Sequence, residues 1–174
     1  KGGVFIIPGP SGPGKDTVMT ELFKKMPELL FSISSITRAM RPGEREGEKY
    51  NFITREKFED MLKNDRLLEH NEFVGNYYGT PREPIERAVA NGQDMVIEVD
   101  VNGAAQIREK MPEAVSIFIM PPSFAELKRR LSGRGTESEE LIQKRLASAL
   151  GEIKRAAEYD YIVVNEDITA AADD

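Results

Sequence analysis

Three glycines and a lysine fall within seven residues in Gly9-Pro10-Ser11-Gly12-Pro13-Gly14-Lys15. Glycines at that spacing let successive backbone N–H groups converge on an anion, and a lysine at the end supplies a cation for the outer phosphates of a nucleotide. Further along, Arg38 and Arg41 stand three apart in a polar loop, and paired guanidinium forks are well suited to holding a phosphate. An apolar run, Met95 to Val99, carries Glu98 and ends at Asp100. An acid at the carboxyl end of a parallel strand faces the crevice where α/β proteins bind ligands and can reach Mg²⁺ directly or through water. The alternative for Asp100 is an acid that caps the following helix near Gly103.

These residues need particular elements to position them. Val4 to Ile7 forms a short β-branched run ending at Pro8, and Val18, Met19, Leu22, Phe23 and Met26 recur at helical spacing behind Lys15. Strand, glycine turn and helix are the order a P-loop requires. Asp16 occupies the position where that motif has a hydroxyl ligand for Mg²⁺, and Pro13 removes one backbone donor from the turn. Downstream, strands are expected over 29–36, 50–53, 67–73, 76–80, 95–100, 114–120 and 161–165. Helices are expected after Thr54, over 85–91, 104–111 and 138–159, and after Ser123, where Ser123 and Glu126 form a capping-box pattern. Strands alternating with helices around one interruption give a parallel α/β sheet with helices on both faces. Gly133-Arg134-Gly135-Thr136 reads as a lid, and Glu152 on the long helix as a surface acid.

The separated motifs together resemble one family, guanylate kinase. They are Gly9-Pro10-Ser11-Gly12, Ser34-Ser35-Ile36-Thr37-Arg38, Arg41-Pro42-Gly43-Glu44, Tyr50-Asn51-Phe52, Gly75-Asn76-Tyr77-Tyr78-Gly79-Thr80, Gly133-Arg134-Gly135-Thr136-Glu137 and Lys144-Arg145-Leu146. The resemblance covers nearly the whole chain. It implies a P-loop three-layer fold with a parallel core sheet, an inserted mixed α+β GMP-binding subdomain and a helical lid. The implied divisions are core 1–33, GMP-binding subdomain 34–92, core 93–131, lid 132–148 and core 149–174.

The resemblance further implies transfer of the γ-phosphoryl group from ATP to GMP and dGMP. On the ATP side it places Gly9, Pro10, Ser11, Gly12, Pro13, Gly14, Lys15, Asp16, Thr17 and Asn165. Around GMP it places Arg38, Arg41, Tyr50 and Tyr78 on the phosphate and Ser34, Glu69 and Thr80 on the guanine, with Glu98 and Asp100 near GMP and Mg²⁺. Lys15, Arg38, Arg130, Arg134 and Arg145 are the implied catalytic set. Mg²⁺ is expected mainly through phosphate oxygens and water rather than through a set of protein ligands. Guanine chemistry fits the division: its N1–H and N2–H₂ donors lie side by side for one carboxylate, and its O6 accepts from a hydroxyl. A guanylate-kinase-like protein-interaction module is the alternative reading, though such a module usually loses the phosphate residues that stand here. A kinase for AMP or dTMP is disfavoured by Ser34, Glu69 and Thr80.

Bulk properties bound the rest. The 174 residues are long enough for one sizeable core, and a net charge of −6 argues against broad affinity for nucleic acid or anionic membranes. There is no cysteine, hence no disulfide framework or thiolate metal site. No stretch reads as a signal peptide or membrane span, so a cytoplasmic monomer or homodimer is expected. The chain starts at Lys1 without Met and stops within the helical run 170–174, so both ends read as trimmed. His70 is the one histidine and is expected to be a surface or packing residue. Tyr77 likewise reads as packing.

Overall fold

A computed structural model describes residues 1–8, 14–133, 135 and 138–174. The elements run β1 (Val4–Ile7), α1 (Lys15–Lys25), β2 (Leu30–Phe31), β3 (Ser34–Ile36), β4 (Tyr50–Phe52), α2 (Arg55–Lys63), β5 (Leu67–Phe73), β6 (Asn76–Pro81) and α3 (Arg82–Ala90). They continue with β7 (Met95–Glu98), α4 (Val101–Lys110), β8 (Val115–Met120), α5 (Phe124–Ser132), α6 (Glu139–Ile153), β9 (Tyr161–Val164) and α7 (Ile168–Asp173).

One sheet has the order β2-β7-β1-β8-β9, with β2 parallel to β7 and β8 parallel to β9. A second, mixed sheet has the order β4-β3-β6-β5. In it β3 pairs β4 in parallel and β6 antiparallel, and β6 pairs β5 antiparallel. The chain divides into two compact units. The first holds Lys1–Phe5, Leu30–Ile97 and Asn102–Ala114, the second Ile6–Leu29, Glu98–Val101 and Val115–Asp174.

In the first unit, Ile36, Phe58, Leu67, Leu68, Ile85 and Ile107 are buried to 1% exposure or less. Each such apolar side chain contributes about 1.5–3 kcal/mol from its removal from water. α2 begins at Thr54, whose hydroxyl accepts the Lys57 N–H at 3.2 Å, as its type predicts. In the second unit, Leu127 and Leu131 of α5 pack with Leu146 and Ala149 of α6, and Ile153 closes the cluster. Those positions recur at helical spacing, so one face of each helix meets the other. Lys25 at the end of α1 pairs with Asp173 on α7.

Several boundaries differ from the sequence expectation. The apolar stretch 29–36 is two strands, because Ser32 and Ile33 separate a piece that joins the parallel sheet from one that joins the mixed sheet. β7 stops at Glu98, leaving Asp100 in the connection to α4. The last long helix ends at Ile153, and a single 3₁₀ turn over Ala156–Glu158 precedes β9. Ser123 caps α5 by accepting the Glu126 N–H at 3.1 Å, but the Glu126 carboxylate turns to Arg129 and Arg130.

Candidate active site

Within the second unit the chemistry gathers around Lys15, the first residue of α1. Gly14 precedes it in the left-handed region, φ 80°, where a side chain is strained. A Cβ at Gly14 would also stand 3.1 Å from the Asn165 side-chain nitrogen. Both constraints explain a glycine immediately before the lysine. Lys15 Nζ lies 3.5 Å from a Glu98 carboxylate oxygen at the end of β7. Burial pushes the Glu98 carboxyl above its ordinary value; the Lys15 charge opposes that shift, and Asp16 adds to it. Glu152 on α6 is half-buried and also raised, first by burial, against the pull of Lys15 and with a contribution from Asp100. One ammonium thus serves several carboxylates. Asp16 and Thr17 are exposed on the first turn of α1, and the Thr17 N–H already donates to the Gly14 carbonyl at 3.1 Å.

α5 meets the end of β9 through Arg130. Its Nη2 donates to the Asn165 carbonyl at 3.0 Å, and its Nε donates to Glu126 at 2.8 Å. Arg129 donates to the same carboxylate through two nitrogens, at 2.6 and 2.8 Å. The two guanidinium groups hold Glu126 far below the usual carboxylate range, at about 2. Asn165 is buried at 2% exposure, and its N–H donates to the Met120 carbonyl. Arg145 lies half-buried on α6 beside the buried Leu146. The expectations for Gly9, Pro10, Ser11, Gly12, Pro13 and Arg134 lie outside the described residues, as do Thr136 and Glu137.

The first unit holds the second constellation. Register pairs Ser34 with Tyr50 and Ile36 with Tyr78, so β3 lies between the strands that carry the two tyrosines. Arg38 follows β3 after Thr37. Its Nη1 and Nη2 donate to the two Glu44 oxygens at 2.8 and 2.6 Å, and its guanidinium stands 5.5 Å from the ring centres of both Tyr50 and Phe52. The Tyr78 hydroxyl also acts on this guanidinium. Glu44 accepts the Arg41 backbone N–H at 2.7 Å as well. Gly43, at φ 88°, allows the tight return that makes this possible. Paired with Arg38, the Glu44 carboxyl sits at about 2. The Arg41 side chain is exposed.

Glu69 and Thr80 face each other across β5 and β6, and the Thr80 hydroxyl donates to the Glu69 carboxylate at 2.7 Å. Both are buried, at 8% and 1% exposure. A buried carboxyl costs several kcal/mol unless partnered, and the Thr80 hydroxyl supplies one partner here. Tyr77 instead stacks on Phe58 at 5.1 Å and takes a hydrogen bond from Arg55 at 2.8 Å, a packing role.

Three residues of these constellations went unread in the sequence. Glu44 was legible only as part of a motif, although the Pro42-Gly43 turn between Arg41 and Glu44 signals a return. Glu152 looked like any helix-surface acid. Gln106, whose side chain pairs with the His70 backbone, carried no signal.

A core strand β1, a helix α1 that opens on Gly14 and Lys15, and a sheet whose pairs β2–β7 and β8–β9 run parallel define the class as an α/β protein. A family model described as guanylate kinase matches residues 1–174. The chain is 47% identical over 170 residues to a guanylate kinase of Desulfitobacterium hafniense, covering 98% of this chain and 85% of that protein. It is 51% identical over 170 residues to one from Trichormus variabilis, with the same coverages. A crystal structure of guanylate kinase from Anaplasma phagocytophilum superposes with a TM-score of 0.74 at 39% identity, covering 99% of this chain and 81% of that one. The chain belongs to the guanylate kinase family.

Proposed function

We propose that this chain transfers the γ-phosphoryl group of ATP to GMP, and to dGMP, giving ADP and GDP or dGDP. The carrying observation is the buried Glu69 carboxylate with the Thr80 hydroxyl at 2.7 Å. Guanine offers N1–H and N2–H₂ to such a carboxylate and adenine does not. Discrimination of order 10⁴ is within reach of a site whose buried acceptor is left unpaired by the wrong base. Ser34 joins this pair on the guanine, and Arg38, Arg41, Tyr50 and Tyr78 take the GMP phosphate.

The donor half consists of Gly9 to Thr17 and Asn165, with Lys15 neutralising the outer phosphates of ATP. A GMP phosphate oxygen bonds to the γ-phosphorus while the bond from that phosphorus to the β–γ bridging oxygen breaks, and ADP leaves with the electron pair. The acceptor phosphate has its second pKa at about 6 and is already largely ionised at neutral pH, so no general base is required. Arg38 orients the acceptor, and Arg130, Arg134 and Arg145 offset the negative charge that spreads over the transferring group. Residues 132–148 act as the lid that excludes water, and 34–92 as the GMP-binding subdomain.

Asp16, Glu98 and Asp100 are hard oxygen donors of the kind Mg²⁺ accepts and would hold the ion directly or through water alongside the nucleotide phosphates, where it would neutralise nucleotide charge. Among the described residues no helix is long and apolar enough to cross a membrane, and a cytoplasmic setting suits a reaction between ATP and GMP. The test is ADP formation with Mg-ATP and each of GMP, dGMP, AMP, UMP and dTMP in turn. Turnover is expected with GMP and dGMP; turnover with AMP but not GMP would overturn the assignment.

A further inference from the structure

β5 carries the Glu69 carboxylate on the edge strand of the mixed sheet, where one side of the backbone has no neighbouring strand to hold it. The pairing of β5 with β6 slips by one residue between Leu67, opposite Pro81, and Glu69, opposite Thr80. Leu68 is the extra residue, and it is fully buried. A bulge of this kind re-aims the next side chain and interrupts the ladder. Here it puts Glu69 opposite Thr80, and the backbone around it needs support from elsewhere.

Helix α4 supplies that support. The Gln106 side-chain carbonyl accepts the His70 N–H at 3.1 Å, and its amide nitrogen donates to the His70 carbonyl at 3.1 Å. A side-chain amide thus makes the pair of bonds a neighbouring strand would make, one residue beyond Glu69. One helical turn on, Lys110 Nζ donates to the Leu67 carbonyl at 2.7 Å and pairs with Asp65 at 2.8 Å. Gln106 and Lys110 are four apart, on one face of α4. They hold β5 on either side of the bulge, so neither side of Glu69 is left to fray.

We propose that Gln106 is a positioning residue for guanine selection: its amide fixes the edge of β5 so that Glu69 meets the N1–H and N2–H₂ pair together. This rests on Glu69 reading guanine. Both His70 bonds lie at an exposed edge, where water can replace them, so their loss costs little stability. What is lost is orientation, and bidentate recognition is the interaction most sensitive to it.

The test compares GMP with IMP, whose base keeps N1–H but lacks the 2-amino group, in the full chain and in the variants Gln106→Leu, Gln106→Glu and Glu69→Gln. The readouts are the GMP/IMP ratio of kcat/KM, KM for ATP and the melting temperature. Gln106→Leu is expected to lower the ratio about tenfold, the equivalent of one good hydrogen bond, with KM for ATP unchanged. Gln106→Glu keeps the acceptor for the His70 N–H but loses the donor, so its ratio is expected to fall by less; it also serves as the test should Gln106→Leu fail to fold. An unchanged ratio in both Gln106 variants, or in the one that folds, overturns the proposal whatever the melting temperature does. Glu69→Gln separates the two layers. If it collapses the ratio while the Gln106 variants do not, only the positioning role fails; if it leaves the ratio intact, the guanine reading fails and the positioning role falls with it.

Discussion

Glu44 engages both terminal nitrogens of Arg38, at 2.6 and 2.8 Å, and draws in the Arg41 backbone N–H at 2.7 Å. One carboxylate therefore sets the plane of the first arginine and the start of the loop carrying the second. A planar guanidinium whose orientation is fixed in advance loses less entropy on binding an anion, which is the role proposed for Arg38. Arg38→Ala is expected to raise KM for GMP about 10- to 100-fold, the range of a charge-assisted hydrogen bond, while KM for ATP stays near its original value. Glu44→Gln should move GMP kinetics in the same direction by a smaller factor. Steady-state kinetics with each nucleotide varied in turn measures both, and an equal loss on the ATP side would contradict the assignment of Arg38.

Acid should weaken the fold through Glu44 and Glu126. Both carboxyls lie at about 2 in the folded chain against an ordinary 4.5. A depressed carboxyl contributes stability that is fully present above its unfolded value and is lost as pH falls through its folded value. The window is therefore about 4.5 down to 2. Glu98 and Glu152 are raised instead. Their contribution runs oppositely, declining as pH rises through their folded values. Melting temperature followed from pH 6 to pH 2 should drop within the window, and the double variant Glu44→Gln/Glu126→Gln should show a flatter dependence. A drop of the same steepness in that variant would show that other groups dominate.

Glu152 shares the electrostatic neighbourhood of Lys15 with Glu98 and Asp100. If Lys15 meets polyphosphate as proposed, taking one negative charge from beside it favours the anion. Glu152→Gln is expected to tighten ATP binding by roughly two- to tenfold, less at high salt. Calorimetric titration of ATP without divalent cation reads this directly. Weaker binding would show that Glu152 orients Lys15 rather than competing for it.

The parts of the molecule legible in the sequence are those where local pattern and function coincide. The run Val4 to Ile7, the turn ending at Gly14 and the helical spacing behind Lys15 placed β1 and α1 because a strand-turn-helix is a short-range object. Thr54 and Ser123 likewise announced their helices through their own hydroxyls. The break between β2 and β3 was not legible: 29–36 is apolar enough for a single strand, and only the sheets available to each half divide it. Nor could spacing reveal the non-local pairings, since His70 and Gln106 are 36 residues apart. Glu69 was readable only through the company of its flanking motifs, and its bulge was not readable at all.

Gly79 offers a structural check on the β5 segment that carries Glu69. A Cβ there would stand 3.0 Å from the Glu69 carbonyl oxygen and 3.1 Å from the Phe58 ring. The carbonyl belongs to the edge strand and the ring is fully buried, so neither can yield freely. Gly79→Ala is expected to destabilise the fold by about 1–3 kcal/mol, the usual cost of overpacking, and to raise KM for GMP by displacing the backbone of Glu69. Denaturant unfolding together with GMP kinetics measures the two effects, and a variant of unchanged stability would show that β5 can shift without cost.

Phosphoryl transfer from ATP to a guanine monophosphate is decided by following the label. Incubated with Mg²⁺, ATP labelled at the γ-phosphorus and equal concentrations of GMP and AMP, the chain should move the label into the β-position of GDP, with one ADP formed from ATP for each GDP. Label appearing in ADP formed from AMP, or released only as inorganic phosphate, would contradict the claim.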